Sequence, residues 1–327
     1  MGLFARYALA LFSCFALADL TGIHASAQDW PSRQIRIVTP LAAGGAADIV
    51  ARSVGDVLAD NVKKPVVIEN RPGGGGSLAA SMVANAEPDG TTLLLGAAAG
   101  LTIGPVLNKN LPYDPFNDLT PLTMDVELPI CLVVAPAFPA NNMAELIAYA
   151  KANPGKLSFG SSGTNTTHHL AGELLKVAAG IDIVHIPYRG GNPAMTDLLA
   201  GNILLLFATL STARPYIKSG KVKVLGVVEA QRSRAWPNIP TIGETVKGYA
   251  VPASWVGFLA PGKMPAALTQ KINAELVRAI KLPKVTKRLE DAGFEIVTTT
   301  PDEFAATLKA DIERYKKITT DAGIKPQ

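Results

Sequence analysis

Three short stretches hold the residue types best suited to chemistry: Ala42 to Gly45, Pro72 to Ser77 and Gly160 to Thr167. Each is rich in Gly and small polar residues, follows a β-branched run and precedes a helical one. The chain there presents backbone N–H groups at a helix N-terminus. Such a terminus favours an anion by roughly 0.3 to 1 kcal/mol, and by up to about 2 when partly buried. Glycine by itself also permits tight turns, but three similar turns at equivalent places argue for a shared task. The expected guest is a small anion.

Other chemistries fit the residues less well. Ala42-Ala43-Gly44-Gly45-Ala46-Ala47-Asp48 lacks the three-glycine spacing of a dinucleotide site, and Gly73 to Ser77 has no Lys where a nucleotide-phosphate loop needs one. Gly160-Ser161-Ser162-Gly163-Thr164 is close to a serine-hydrolase elbow, yet Thr164 stands in place of its last glycine. Four His occur in the chain, one of them (His24) near the N-terminus. His168 and His169 are adjacent and point to different helix faces, and His185 lies far along, which is no metal-ligand spacing. Neither a metal nor a cofactor is expected.

These turns need strands behind them and helices ahead. Gln34 to Thr39 reads as a strand, Leu41 to Gly45 as a loop, and Ala46 to Asn61 as a helix with Ile49, Val50, Val54, Val57 and Leu58 on one face. Strand Val66 to Glu69, helix Ser77 to Ala86 and strand Thr92 to Gly96 complete a β-α-β-α-β unit. A second unit follows, with strand Ile130 to Ala135, helix Ala144 to Ala152, strand Ser158 to Phe159 and helix His168 to Gly180. Ile183 to Ile186, Pro193 to Ala200, Ile203 to Ala208 and Val222 to Val228 extend it. Ser254 to Ala260 reads as a crossing back. The helices Pro265 to Lys281, Pro283 to Ala292 and Pro301 to Ala322 end the chain. This rhythm predicts an α/β protein whose mainly parallel sheets are flanked by helices.

At 327 residues, with Lys+Arg 31 against Asp+Glu 27 and 48% hydrophobic residues, the chain is sized for two cores and is neither disordered nor a basic nucleic-acid binder. Residues 1–27 carry Arg6, an apolar stretch from Tyr7 to about Leu20, and Ala25-Ser26-Ala27, the pattern of a cleaved secretory signal. Cleavage removes one charge of each sign, Arg6 and Asp19, so the net charge stays +4. Cys14 leaves with the signal. Cys131, in Leu-Pro-Ile-Cys-Leu-Val-Val, reads as a thiol protected in a core strand.

In order along the chain, Trp30-Pro31 leads to Ile37-Val38-Thr39-Pro40-Leu41-Ala42-Ala43-Gly44-Gly45-Ala46-Ala47-Asp48. Glu69-Asn70-Arg71-Pro72 and Gly73 to Gly76 come next, then Gly160 to Leu170 and His185-Ile186-Pro187-Tyr188-Arg189-Gly190 with Pro193-Ala194. Pro237 to Glu244 and Trp255-Val256-Gly257 close the series. Together these resemble the Bug-type extracytoplasmic solute-binding receptors of tripartite tricarboxylate transporters, over nearly the whole mature chain. The resemblance implies a flytrap of two α/β lobes, residues 28–127 with 254–327 and residues 128–253, closing on a small carboxylate for a membrane permease. It also implies a periplasmic, monomeric, non-enzymatic protein without nucleic-acid partners. Carried over by residue, Leu41, Ala42, Ala43, Gly44 and Gly45 hold one end of the ligand through N–H groups and bridging water, with Asp48 behind them. Ser161, Gly163, Thr164, Thr166 and His169 clamp from the second lobe, with Tyr188 alongside.

The chain departs from that pattern in places. Leu41 stands where Phe or Tyr is usual, Arg189 where Lys is frequent, and Ile203 and Leu204 replace an Asp often found after the second-lobe glycine. Asp48 has two readings, a carboxylate stabilising its helix N-terminus or a partner for a ligand ammonium or hydroxyl. Two rivals to the transport reading are an exported hydrolase using Ser161 or Ser162 with His169, and a ligand sensor for a membrane kinase.

Overall fold

The structure, a computed structural model, describes residues 30–41 and 43–326. The expected signal, residues 1–27, and Ala42 lie outside the described residues. Eleven strands run in chain order: β1 Ile35–Thr39, β2 Val66–Asn70, β3 Thr92–Ala97, β4 Leu119–Leu128, β5 Ile130–Val134, β6 Leu157–Ser161, β7 Ile183–Pro187, β8 Leu205–Thr209, β9 Lys223–Val227, β10 Ser254–Pro261 and β11 Glu295–Ile296. The α-helices are α1 Ala46–Val62, α2 Ser77–Ala84, α3 Gly104–Leu107, α4 Met143–Ala152, α5 Thr167–Ala179, α6 Gly191–Ala200, α7 Leu210–Lys218, α8 Ala266–Ile280, α9 Pro283–Asp291 and α10 Pro301–Asp321.

The strands form two sheets, a six-stranded one ordered β11-β4-β10-β3-β1-β2 and a five-stranded one ordered β7-β6-β8-β5-β9. Each is apolar on both faces because helices cover both. In the first, Ile35 and Ile37 pack on one side with Val50, Val54 and Leu58 of α1 and Ile272 and Leu276 of α8. Val38 and Leu94 pack on the other with Ala79 and Val83 of α2 and Phe304 and Leu308 of α10. In the second, Leu132 meets Leu146 of α4 and Leu170 of α5. Cys131 and Val133 face Met195 and Leu198 of α6 and Ala213 of α7. Cys131 is therefore a core thiol, and burial pushes its pKa far up.

The sheets are mixed rather than mainly parallel. β1, β2 and β3 are parallel to one another, but β10 lies antiparallel between β3 and β4. Likewise β6 is parallel to β7 and β8, while β5 runs antiparallel between β8 and β9. The reason lies in β4 and β10, the two strands beside the passages between sheets, at Leu128 to Ile130 and at Val227 to Ser254. β4 is not legible in the sequence, because Pro121, Asp125 and Glu127 interrupt its apolar pattern. We propose the lobe division at 127/128 and 253/254, which falls within a residue of these passages, Leu128 being the last residue of β4.

The last helix belongs to both units. Its first turns put Phe304 and Leu308 into the first core, and its later turns put Tyr315 and Ile318 into the second. The Tyr315 hydroxyl donates to Thr167 Oγ1 at 3.2 Å, at the start of α5.

Parallel strands direct all their C-terminal turns to one sheet edge, so two sheets of this kind present two sets of turns. In the second set, α5 approaches β6 closely at Gly172, where any side chain would overlap the buried Phe159 ring. In an exposed helix Gly→Ala stabilises by about 1 kcal/mol. Here Gly172→Ala is expected to destabilise by roughly 1–3 kcal/mol through overpacking, read as a lower urea midpoint with unchanged m-value.

Candidate ligand-binding cleft

Turns from the two sheets meet around one cavity of about 450 Å³. From the first sheet come Gly74, Gly75 and Ser77 after β2, and Ala99, Gly100, Ile103 and Gly104 after β3. From the second come Thr164, Asn165 and Thr166 after β6. Leu107, the last residue of α3, and Asn108, Asn110 and Leu111, which follow it, complete the wall. Every lining residue is uncharged.

The first-sheet turns press on one another. The position a side chain would take at Gly76 lies 3.4 Å from Pro40 Cβ and 3.5 Å from Gly100 Cα. Gly74, Gly75 and Gly76 all have positive φ (56°, 65° and 106°), so the bend after β2 needs glycine for its backbone as well as its space. The chain after β3 forms a π-helical turn, Ala99–Ile103, and Tyr113 donates to the Gly100 carbonyl at 2.7 Å. Such turns favour functional sites.

Asp48 has the partners that the structural reading calls for. It is buried, and its Oδ2 accepts from the Gly44 N–H and from Arg52 Nε, both at 2.9 Å, while Oδ1 accepts from Asn70 Nδ2 at 3.0 Å. The same Asn70 amide donates to the Leu41 carbonyl at 2.9 Å. Burial alone would raise the carboxyl pKa, but these hydrogen bonds outweigh it and hold it down to about 2. Asp48 thus fixes the 41–45 turn and ties it to β2. Leu41, Ala43 and Gly44 are exposed and Gly45 half-buried on that turn, adjoining the cavity through Pro40 without lining it.

On the second-sheet side most of the expected side chains are also committed. Ser161 is fully buried, 2.7 Å from His185 Nε2, and accepts from the Gly163 N–H at 3.1 Å. Thr166 caps α5: its hydroxyl donates to the Gly163 carbonyl at 2.7 Å and accepts from the His169 N–H. His169 Nδ1 accepts from the Asn165 N–H at 3.2 Å, which assigns its proton to Nε2, 3.9 Å from Glu173. Its ring stacks on His185 at 4.1 Å, and His185 stacks on Phe159. Tyr188 donates its hydroxyl to Asp197 at 2.8 Å, and its pKa is pushed up to about 12 by burial and by that carboxylate. Arg189 is exposed. Thr164 and Thr166 are the expected residues that line the cavity.

Hydrolase chemistry is not assembled here. Ser161 pairs with His185 and Ser162 with His168 Nδ1 at 2.8 Å, neither with His169. Among the described residues no carboxylate hydrogen-bonds His168 or His185, so no third member orients the base. Burial, first of all, holds His168, His169 and His185 down to about 4, leaving them neutral at pH 7.

Sequence reasoning marked the Pro72–Ser77 turn as anion-ready but named no site residue in it, and it missed the 99–111 wall altogether. That wall carries no glycine-rich signature. Its place follows from Tyr113 and the π-helical turn, contacts that only folding creates.

Two α/β sheets with facing turns and a cleft between them define the periplasmic-binding-protein fold. The sequence matches the tripartite tricarboxylate transporter family receptor over residues 50–324. The solved structures similar to this chain include the following three. R. palustris Rpa4515 with adipate is 32% identical, with a TM-score of 0.82 over 91% of this chain and 100% of that one. The periplasmic binding protein BugD is 34% identical, at 0.78 over 91% and 100%. MatC from Rhodopseudomonas palustris, with bound malate, is 30% identical, at 0.77 over 88% and 99%. The chain belongs to the tripartite tricarboxylate transporter receptor family, the Bug-type solute-binding proteins its motifs resemble.

Removing the Asp48 carboxylate leaves three donors without their acceptor. Asp48→Ala is expected to destabilise the fold by about 1.5–3 kcal/mol, the range for hydrogen bonds to charged groups, measured by urea denaturation at neutral pH.

The stacked histidines generate a second expectation. An imidazole at about 4 in the folded state and 6.5 when unfolded contributes its full stability above pH 6.5, and that contribution is lost as the pH falls toward 4. Glu229, pushed up to about 8 by burial, has the opposite slope and cancels in a comparison between variants. Between about pH 7 and 4.5 the urea midpoint of wild type should therefore drop relative to that of His169→Gln/His185→Gln.

Proposed function

We propose that the protein captures a small carboxylate between its two sheets and delivers it to a membrane permease of the tripartite tricarboxylate type. One observation carries this reading: turns from both sheets converge on a single cavity and face it with groups their own protein does not use. Among the described residues, no hydrogen bond engages the hydroxyls of Ser77 and Thr164 or the side-chain amide of Asn165. At the start of α5 the Thr167 and His168 N–H groups likewise lack partners among the described residues, whereas the Ser77 N–H of α2 donates to the Gly74 carbonyl and the His169 N–H to the Thr166 hydroxyl. The donors come from both sides, so an anion bound there bridges the lobes and favours their approach.

The adipate and malate in the two relatives support a carboxylate as the class of guest. The committed bonds of Ser161, Tyr188 and His169 support a receptor without catalysis, whose side chains hold the loops while N–H groups and hydroxyls meet the ligand. Asp48, Ser161, His169 and Tyr188 then hold the turns that border the cleft. In this reading residues 1–27 are a cleaved signal and the mature chain acts in the periplasm. Among the described residues no helix is long and apolar enough to cross a membrane.

A thermal-shift screen of mono-, di- and tricarboxylates on the mature chain tests the proposal, after mass spectrometry of the denatured protein has shown which acid co-purifies. At a hundredfold excess over Kd, a bound acid adds about 2.7 kcal/mol, or several degrees at roughly 2–4 °C per kcal/mol. No shift with any carboxylate, together with a burst of product from an activated ester, would overturn it in favour of the hydrolase.

A further inference from the structure

We infer that residues 290–295 of the first lobe clasp Arg214 of the second and hold the lobes together on the face opposite the last helix. The inference needs the two lobes but not the carboxylate, so it stands whatever the guest. Among the described residues, side-chain hydrogen bonds between the lobes fall into two groups. One is made by α10: Tyr315 donates to Thr167 and to the Pro252 carbonyl, and Arg314 to the Ala250 carbonyl. The other is made by the end of α9 and the start of β11.

In this second group Arg214 Nη1 donates to the Glu290 and Asp291 carbonyls at 3.0 and 2.9 Å. These belong to the last two residues of α9, the helix end that favours a cation. Gly293 then turns with φ 88° directly against the second lobe, where the position a side chain would take is 2.8 Å from Ser211 Cα. Glu295 accepts from the Ser233 hydroxyl and, at 3.4 Å, from the Ala235 N–H. A helix end, a glycine and a carboxylate on one short segment thus meet three points of the other lobe.

The two groups lie on opposite faces of the sheets. α9 puts Val285 and Leu289 into the core on one face of the first sheet, and α10 puts Phe304 and Leu308 into the core on the other. In the second sheet Leu210 and Ala213 of α7 pack with Cys131 and Val133, whereas Tyr315 and Ile318 of α10 pack on the side of Leu132. On the α10 face one continuous helix is seated in both cores, so the lobes cannot separate there without breaking that packing. On the α9 and α7 face the join consists of the three contacts above, with Arg214 half-buried. A rocking of the lobes parts this face first, and the clasp is what resists it.

The test is the distance between spin labels at Asp56→Cys on α1 and Thr196→Cys on α6, exposed positions on the clasp's face, one in each lobe. The chain expressed from residue 28 carries otherwise only the buried Cys131, so labelling is selective. Distances are recorded by pulsed electron resonance on protein freed of co-purified ligand by unfolding and refolding. The variant is Arg214→Met, which keeps the apolar stem and removes the donors. The expected result is a longer-distance population at least about threefold larger than in wild type. Arg278→Met, which removes an exposed cation paired within its own helix, should leave the distances unchanged. A smaller rise in Arg214→Met, whether wild type is already closed or already open, overturns the inference, as does an equal rise in Arg278→Met. If Arg214→Met lowers the urea midpoint enough to populate unfolded chain, Ser233→Ala, which removes the neighbouring bond to Glu295, is read against the same threshold. A chain that binds no carboxylate removes the functional reading and leaves this result standing, because the measurement uses no ligand.

Discussion

The turns around the cleft keep their shape only while the polar side chains packed against them have their hydrogen-bond partners, and this constraint governs the construction there. An unpaired carboxylate at Asp48 or a loose imidazole at His169 would leave its turn unfixed. Asp48 is instead saturated by Gly44, Arg52 and Asn70, and His169 by Asn165 and its stacking on His185. Each bond that fixes a turn also commits a donor of that turn, the Gly44 N–H to Asp48 and the Asn165 N–H to His169. The histidines stay neutral at ordinary pH because burial disfavours their charged form, so the second-lobe loop is held by hydrogen bonding and stacking, without net charge.

The fold places these turns by a simple device. Strands β1, β2 and β3, and separately β6, β7 and β8, share a direction, so their following loops cluster at sheet edges, where ligands of open α/β sheets bind. The antiparallel strands β4, β5 and β10 carry the chain between sheets and keep the two units side by side. α10 spans both cores, with Phe304 in one and Tyr315 in the other. At 21 residues it is about 31 Å long, enough to couple the units along one axis.

Much of this was legible beforehand. Period-2 and period-3.6 patterns located β1, β2, β3, α1, α5, α8 and α10 to within a residue or two, because their buried faces are apolar and their ends carry Gly, Pro or a capping Thr. Thr300, for instance, starts α10 through a capping box with Glu303. What escaped were β4, whose Pro121 and acidic residues mask its pattern, α7, whose Pro215 argues against a helix, and the antiparallel insertions. Strand order is set by long-range pairing, and no local window contains it.

The sequence by itself determined the α/β class, the family and the anion-ready turns, because each is written in short stretches whose glycines, hydroxyls and apolar periods act locally. Only the tertiary structure decided which turns share a cavity and which polar side chains remain free within it. It turned Asp48, Ser161 and Tyr188 inward to hold the loops, and it brought Asn108, Asn110 and Leu111 to the wall. The physical reason is that a polar group's availability depends on whether a partner lies within about 3 Å of it, and those partners come from distant parts of the chain.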